Sequence, residues 1–323
     1  MTDSSINFCA QPRRFIEIRV ADIEQLTRRR VQRLCRPDDR HGLVVLPFFG
    51  LWIVAIVVAA HTTGGVAHAS VCTMSVLALL GLSVCLHEAS HALLFRRRWI
   101  NEFVGLLCGL PVLIPVSAFR SNHRLHHARR GDSGQPVEER LDFALFRSLP
   151  VYVLALIVKS FGFITVLPVI AFATAGTRVR LRTLTEYAAF AAIVRAVLQH
   201  VPWPLLWWVW LLPLIVTALL SQIRAVAEHG LTTKGNTFTA SRTVVSNRLL
   251  CLLMCNINYH LEHHLFPTLP WYQLPAAHVL LREQYQRTGA SVYRSYCAFF
   301  ADFLRATWRG IRPATRLIAL ERR

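Results

Sequence analysis

Residues 69–91, ASVCTMSVLALLGLSVCLHEASH, run without a charge from 69 to 86 and then straight into two histidines four positions apart. A helix that crosses a bilayer needs about 20 predominantly apolar residues, and a soluble core seldom needs so long an uncharged run. On such a helix positions i and i+4 share a face. His87 and His91 would therefore emerge together at its end, aimed at one point. The stretch reads as a membrane helix that delivers ligand chemistry to the membrane surface.

The rest of the chain repeats the first half of that pattern. The 323 residues are 54% hydrophobic and 17% charged, against about 25% charged in an ordinary soluble domain, and mean hydropathy is +0.39. Further apolar runs lie at 43–60, 103–119, 149–172, 184–200 and 204–220. Six runs need not give six crossings. The loops at 61–68 and 200–203 lack Arg and Lys, while Arg96–Arg98, Arg120–Arg140 and Arg178–Arg182 are basic and belong on the cytoplasmic side with the N-terminus. Pro111 and Pro115 favour a broken re-entrant or interfacial segment at 103–119. Lys159 favours an interfacial helix or hairpin at 149–172. The expectation is an all-α integral membrane protein. It has four transmembrane helices, at about 43–61, 69–88, 184–201 and 204–222, with a cytosolic histidine-rich cap and interfacial helices. The implied organisation is a cytosolic N-terminal segment at 1–42, a membrane domain at 43–280 and a cytosolic tail at 281–323, amphipathic and without assigned chemistry.

The formal charge of +18 comes almost wholly from Arg, since Lys occurs only at 159 and 234. Positive-inside bias and anionic lipid account for it. No helix-turn-helix, zinc-finger or RNA-binding signature accompanies it, so no nucleic acid partner is expected. Eight cysteines form no CxxC pair, which argues against a disulfide framework or thiolate zinc site. The first fifteen residues lack the apolar core of a signal peptide.

Eight of the fourteen histidines fall in three clusters: His87 and His91 (HEASH), His123, His126 and His127 (HRLHH), and His260, His263 and His264 (HLEHH). In HxxHH the first histidine can share a helical face with either of the other two. The adjacent pair diverges, so its members can serve different ions. Eight imidazoles exceed one metal's needs and suit two, and imidazole accepts iron, zinc, copper or nickel. His229, in RAVAEHG after the last apolar run, is a ninth candidate. Glu228 beside it reads as a solvated carboxylate or as an acceptor orienting an imidazole. His41, His61, His68, His200 and His278 read as hydrogen-bonded residues at helix ends. HEASH also fits HExxH, the zinc-protease helix in which Glu88 would be the base; that rival leaves six clustered histidines idle, and Asp142 in LDF, which could supply the further ligand, sits in a string that matches the protease pattern poorly. A metal transporter would need ionisable residues along the spans, where few occur.

HEASH, HRLHH, RAVAEHG and NYHLEHHLFPTLPWYQLPAAH at 258–278 together resemble the membrane fatty acid desaturase and hydroxylase superfamily. The resemblance covers about 43–280. It implies a four-span fold, two non-haem iron ions, O2 as co-substrate and an acyl or lipid-like substrate. By position it implies the ligands His87, His91, His123, His126, His127, His229, His260, His263 and His264, with no catalytic residue beyond them. The HxxxH spacing is more like acyl-lipid than acyl-CoA desaturases, and His260 stands where front-end desaturases have Gln. Ala225 stands where acyl-CoA desaturases have a ligand-holding Asn. No cytochrome b5-like segment adjoins the motifs, so a separate donor of ferredoxin or cytochrome b5 type, with its reductase, is expected. Desaturase, hydroxylase and ketolase chemistries share this histidine spacing. A small specialised metabolite, derived from an amino acid or bound to a carrier, is an alternative substrate.

Overall fold

The computed structural model describes residues 23, 25–129, 149–230, 232 and 237–308. The Arg-rich start of the chain, most of the basic stretch after Arg129, Asp142 and the last fifteen positions lie outside the described residues.

The described chain is mostly helical. Helix α1 (Gln25–Arg33) precedes α2 (Val45–His61), α3 (Gly65–Ser90), α4 (Arg98–Gly109) and α5 (Val116–Arg129). Then come α6 (Leu149–Thr174), α7 (Thr177–His200) and α8 (Trp203–His229). Four shorter helices follow: α9 (Arg248–Leu253), α10 (His260–Leu265), α11 (Leu274–Thr288) and α12 (Tyr296–Trp308). Two three-residue strands interrupt the all-α pattern. β1 (Arg242–Val244) and β2 (Ser291–Tyr293) pair in parallel, Thr243 opposite Val292. Val244 and Tyr293 of this ribbon are buried against Phe299 and Phe303 of α12, so residues beyond 280 are part of the packed structure.

Among the described residues three helices are long and apolar enough to cross a membrane: Asp39–His61, Gly65–Ser90 and Trp203–His229. The expected spans at 43–61, 69–88 and 204–222 fall within them. At 184–201 the structure differs. Its helix, α7, begins at Thr177 and takes in Arg178, Arg180, Arg182, Glu186 and Arg195, a charge load that keeps it out of the apolar class. Four crossings are therefore not established. The run at 103–119 breaks as its prolines suggest: α4 ends at Gly109, Leu113 takes φ +58°, and α5 starts at Val116. The run at 149–172 is one uninterrupted helix with Pro168 inside it, not a hairpin.

Helices α2 and α3 form an antiparallel pair that packs closely because residue 81 is glycine; a Cβ there would overlap the Phe48 ring. α8 packs across α3 and α6. It opens with a π-helical turn at Trp207–Leu211, whose Val209 carbonyl accepts from Trp52 Nε1 at 2.8 Å. Trp210 Nε1 donates to Pro111 O at 2.7 Å, tying α8 to the broken segment between α4 and α5. These contacts bring the C-terminal ends of α3 and α8, the second half of α5, and α10 to one end of the bundle.

Candidate metal centre

Two groups of imidazoles fill that end. His87, His91, His123, His127 and His263 form one, and His126, His229, His260 and His264 form the other, with the ligand atoms of each group within 4.8 Å of one another. All nine candidate positions are gathered and none is left out. His41, His61, His68, His200 and His278 belong to neither group. His278 bonds Glu262, His41 stacks on Tyr272, and His68 stacks on Trp208.

Helical spacing explains the division. His123 and His127 lie one turn apart on α5 and face the first group, while His126, rotated about 100° from His127, faces the second. On α10 the pair His260 and His264 faces the second group and His263 the first. α3 supplies His87 and His91 to the first, and α8 ends at His229 in the second. The groups are neighbours: the His127 and His264 rings lie 4.4 Å apart.

Distances and protonation suit a metal. Nε2 to Nε2 separations are 2.9 Å for His123–His127 and 3.0 Å for His263–His127. They are 2.8 Å for His260–His229 and 3.0 Å for His264–His260. Imidazoles bound at about 2.1 Å and 90° to one another would hold their nitrogens about 3 Å apart. His87 Nε2 and His91 Nε2 are buried without a hydrogen-bond partner, an arrangement that costs free energy unless something accepts the lone pairs. Burial, reinforced by Arg124 and Arg120, pushes His91 down to about 3. Burial among other imidazoles depresses His123, His127 and His263 well below the usual histidine range. These four rings are held toward the neutral state, in which a ring nitrogen can ligate.

The surrounding groups orient these rings. Glu88 is fully buried, with Oε1 3.1 Å from His87 Nδ1. It is an anchor for a ring, which removes the protease reading in which it would be a base. Glu228 is also buried. It pairs with Arg224 at 2.7 Å and sits 3.7 Å from His260 Nδ1, so the solvated reading of this carboxylate fails. Glu262, inside HLEHH, accepts from Thr243 Oγ1, from Tyr285 OH at 2.8 Å and from His278 Nδ1 at 2.5 Å, which locks α10 against β1 and α11.

Two buried arginines escape the sequence motifs. Arg120 donates to Ser90 O at 2.8 Å and Ala89 O at 3.1 Å and pairs with Glu102, capping the end of α3. Arg242 donates to Ala227 O at 2.9 Å and Gly230 O at 2.6 Å and stacks on Phe299 at 4.6 Å, capping the end of α8. Each satisfies last-turn carbonyls and places a cation at the negative end of a helix dipole. Both helices that carry histidines at their ends are fixed in this way.

The sequence matches the family model for fatty acid desaturase over residues 62–296. Human sphingolipid delta(4)-desaturase/C4-monooxygenase DES2 is 29% identical over 278 residues, covering 79% of this chain and 78% of the relative. The bovine DES2 is 32% identical over 216 residues, 63% of this chain and 62% of the relative. The chloroplastic omega-6 fatty acid desaturase of Arabidopsis thaliana is 26% identical, covering 64% of this chain and 52% of its own.

Proposed function

Because this chain belongs to the fatty acid desaturase family and is an oxidoreductase, we propose that it is a membrane-bound, O2-dependent di-iron desaturase that places a double bond in the acyl chain of a lipid. The observation that carries the reading is the pair of adjoining all-imidazole groups, five rings beside four. The donor set fits two ions, and the family's chemistry makes them iron. His87, His91, His123, His127 and His263 would hold one ion; His126, His229, His260 and His264 would hold the other. When bound, the irons supply reduction of O2 and removal of hydrogen from an unactivated C–H bond.

The chain's own residues supply position and dryness. Glu88 holds His87 with its Nδ1 occupied and its Nε2 directed inward. Neutral nitrogen ligands leave more positive charge on the ions than carboxylates would. Buried Leu86, Cys85 and Val116 line the bundle below the rings, so an acyl chain entering between the helices would meet an apolar environment. The three apolar helices hold the protein in the bilayer. We place both termini and the histidine end in the cytoplasm, because Arg-rich stretches of the sequence belong on that side. The required electrons would come from a separate ferredoxin or cytochrome b5 type carrier with its reductase.

A second reading is hydroxylation, favoured by the C4-monooxygenase in the name of the DES2 relatives. Expression with a ferredoxin and its reductase, followed by lipid product and metal analysis, tests both. Products with a new double bond and two irons per chain support desaturation, and a new hydroxyl supports the second reading. One zinc and unchanged lipids would sink both.

A further inference from the structure

We infer that the surface formed by His41, Tyr272 and the arginine-rimmed cleft beside them is the docking site of an acidic one-electron carrier protein, with Tyr272 and Trp271 leading the electron inward. The inference rests on the di-iron reading above and assigns that centre its partner.

The turn at 270–272 joins solvent to the centre. At its outer end the exposed His41 ring stacks on Tyr272 at 3.7 Å with an interplanar angle of 14°. The Tyr272 hydroxyl accepts from Asp38 N–H at 2.8 Å and donates to Arg36 O at 3.0 Å, which fixes the ring against the segment before α2. Inward, the Trp271 ring lies 5.9 Å from Tyr272 and 6.2 Å from His41, and is 8% exposed. The Trp271 backbone lies beside Glu88, and Glu88 Oε1 is 3.1 Å from His87 Nδ1. One stacked and one edge-on ring contact, the Trp271 backbone against Glu88, and the Glu88–His87 hydrogen bond thus form a series of contacts from the surface to a residue of the five-histidine group.

Charge identifies the partner. A cleft of about 430 Å³ opens beside Tyr272, lined by Arg36, Arg96 and Arg98 together with Ala92 and Leu93, which directly follow His91. Arg96 is fastened there, its Nε donating to Pro37 O at 3.1 Å and its backbone N–H to Asp39 at 2.6 Å. Residues 36–40 and 96–98 hold five arginines against two aspartates. A concave cationic rim beside the exposed His41 ring, itself stacked on half-buried Tyr272, fits an acidic protein surface, which it would steer and orient. Each docking would move one electron: the carrier's reduced cluster is oxidised, the electron would pass to the ion that the five histidines would hold, and no bond changes. Two dockings supply the two electrons that, with two protons, take O2 to two waters as the substrate gives up two hydrogens.

The test uses the full-length protein in detergent with a reduced plant-type [2Fe–2S] ferredoxin as probe. Arg36→Glu with Arg96→Glu should weaken ferredoxin binding about tenfold or more and flatten its salt dependence. Arg178→Glu, a charge reversal on α7, should change binding less than about twofold. Tyr272→Leu should slow ferredoxin-driven reduction about tenfold while reduction by dithionite is unchanged. Equal loss from Arg178→Glu, or an unaltered transfer rate in Tyr272→Leu, would overturn the assignment. Protein that holds no iron would refute the di-iron reading instead, and the binding titration would still decide the docking surface.

Discussion

His127 Nε2 and His263 Nε2 stand 3.0 Å apart although 136 positions separate them in the chain. Their neighbours His126 and His264 have rings 5.1 Å apart and belong to the other group. Adjacent histidines therefore belong to different groups and, on the di-iron reading, would serve different ions. His263→Ala and His264→Ala should each lower iron from about two to about one per chain, but at different sites. Both should abolish turnover. Iron analysis with Mössbauer spectra of the two variants checks this, and identical residual spectra would refute the division.

Glu88 places a carboxylate behind His87, and ligand-orienting acceptors of this kind are typically worth 10- to 100-fold in metal affinity or activity. Glu88→Ala should lower iron affinity by about that factor. Glu88→Gln keeps an acceptor oxygen for Nδ1–H and should retain most of the affinity. Competition with a chelator at fixed pH reads both. A Gln variant as weak as the Ala variant would show that the charge, rather than the hydrogen bond, is what His87 requires.

The histidine pairing was legible in the sequence because helical period alone decides which rings share a face, as His123 with His127 and His260 with His264. The long apolar helices α2, α3 and α8 were legible from uncharged length. The helix at 177–200 was harder to read. Arg182 and Glu186 look unfit for a packed helix until Arg182 is seen paired with both Glu102 and Glu186, and Glu186 accepting from Ser117. Arg120 and Arg242 were hidden by composition, since a chain with so many arginines gives no local sign that these two are buried. Nor does the neighbour of a histidine reveal what will fold over it. Glu88 meets the Trp271 amide, a contact made only by the tertiary fold.

Glu262 has no exposed surface and receives three side-chain donors. Burial, with the neighbouring Glu262 charge, pushes the Tyr285 phenol well above its usual range, so the hydroxyl stays protonated and donates. Tyr285→Phe removes one charge-assisted bond and should cost about 1.5–3 kcal/mol of stability. Glu262→Ala strands the other donors and should cost more. The melting midpoint in detergent should fall in that order, and a neutral Tyr285→Phe would show that Glu262 is already satisfied without it.

Arg120 and Arg242 make the most demanding case, because each joins a helix end that carries histidines to the rest of the fold. Arg120 spans the Ala89 and Ser90 carbonyls and Glu102 at once, and Arg242 spans Ala227, Gly230 and the Phe299 ring. A lysine ammonium is a point charge and cannot reproduce a planar fork that bonds two carbonyls and stacks on an aromatic ring. Arg242→Lys should therefore behave as a loss. Losing hydrogen bonds made by a buried charged group typically costs about 1.5–3 kcal/mol, and the end of α8 should loosen around His229. Hydrogen exchange should quicken at 226–230 and iron should fall at the four-histidine site, while the five-histidine site keeps its ion. Arg120→Lys should give the mirror result, with exchange quickening at 87–91 and iron lost from the five-histidine site. If either variant emptied both sites equally, the two caps would be supporting the fold in general rather than each its own group of ligands.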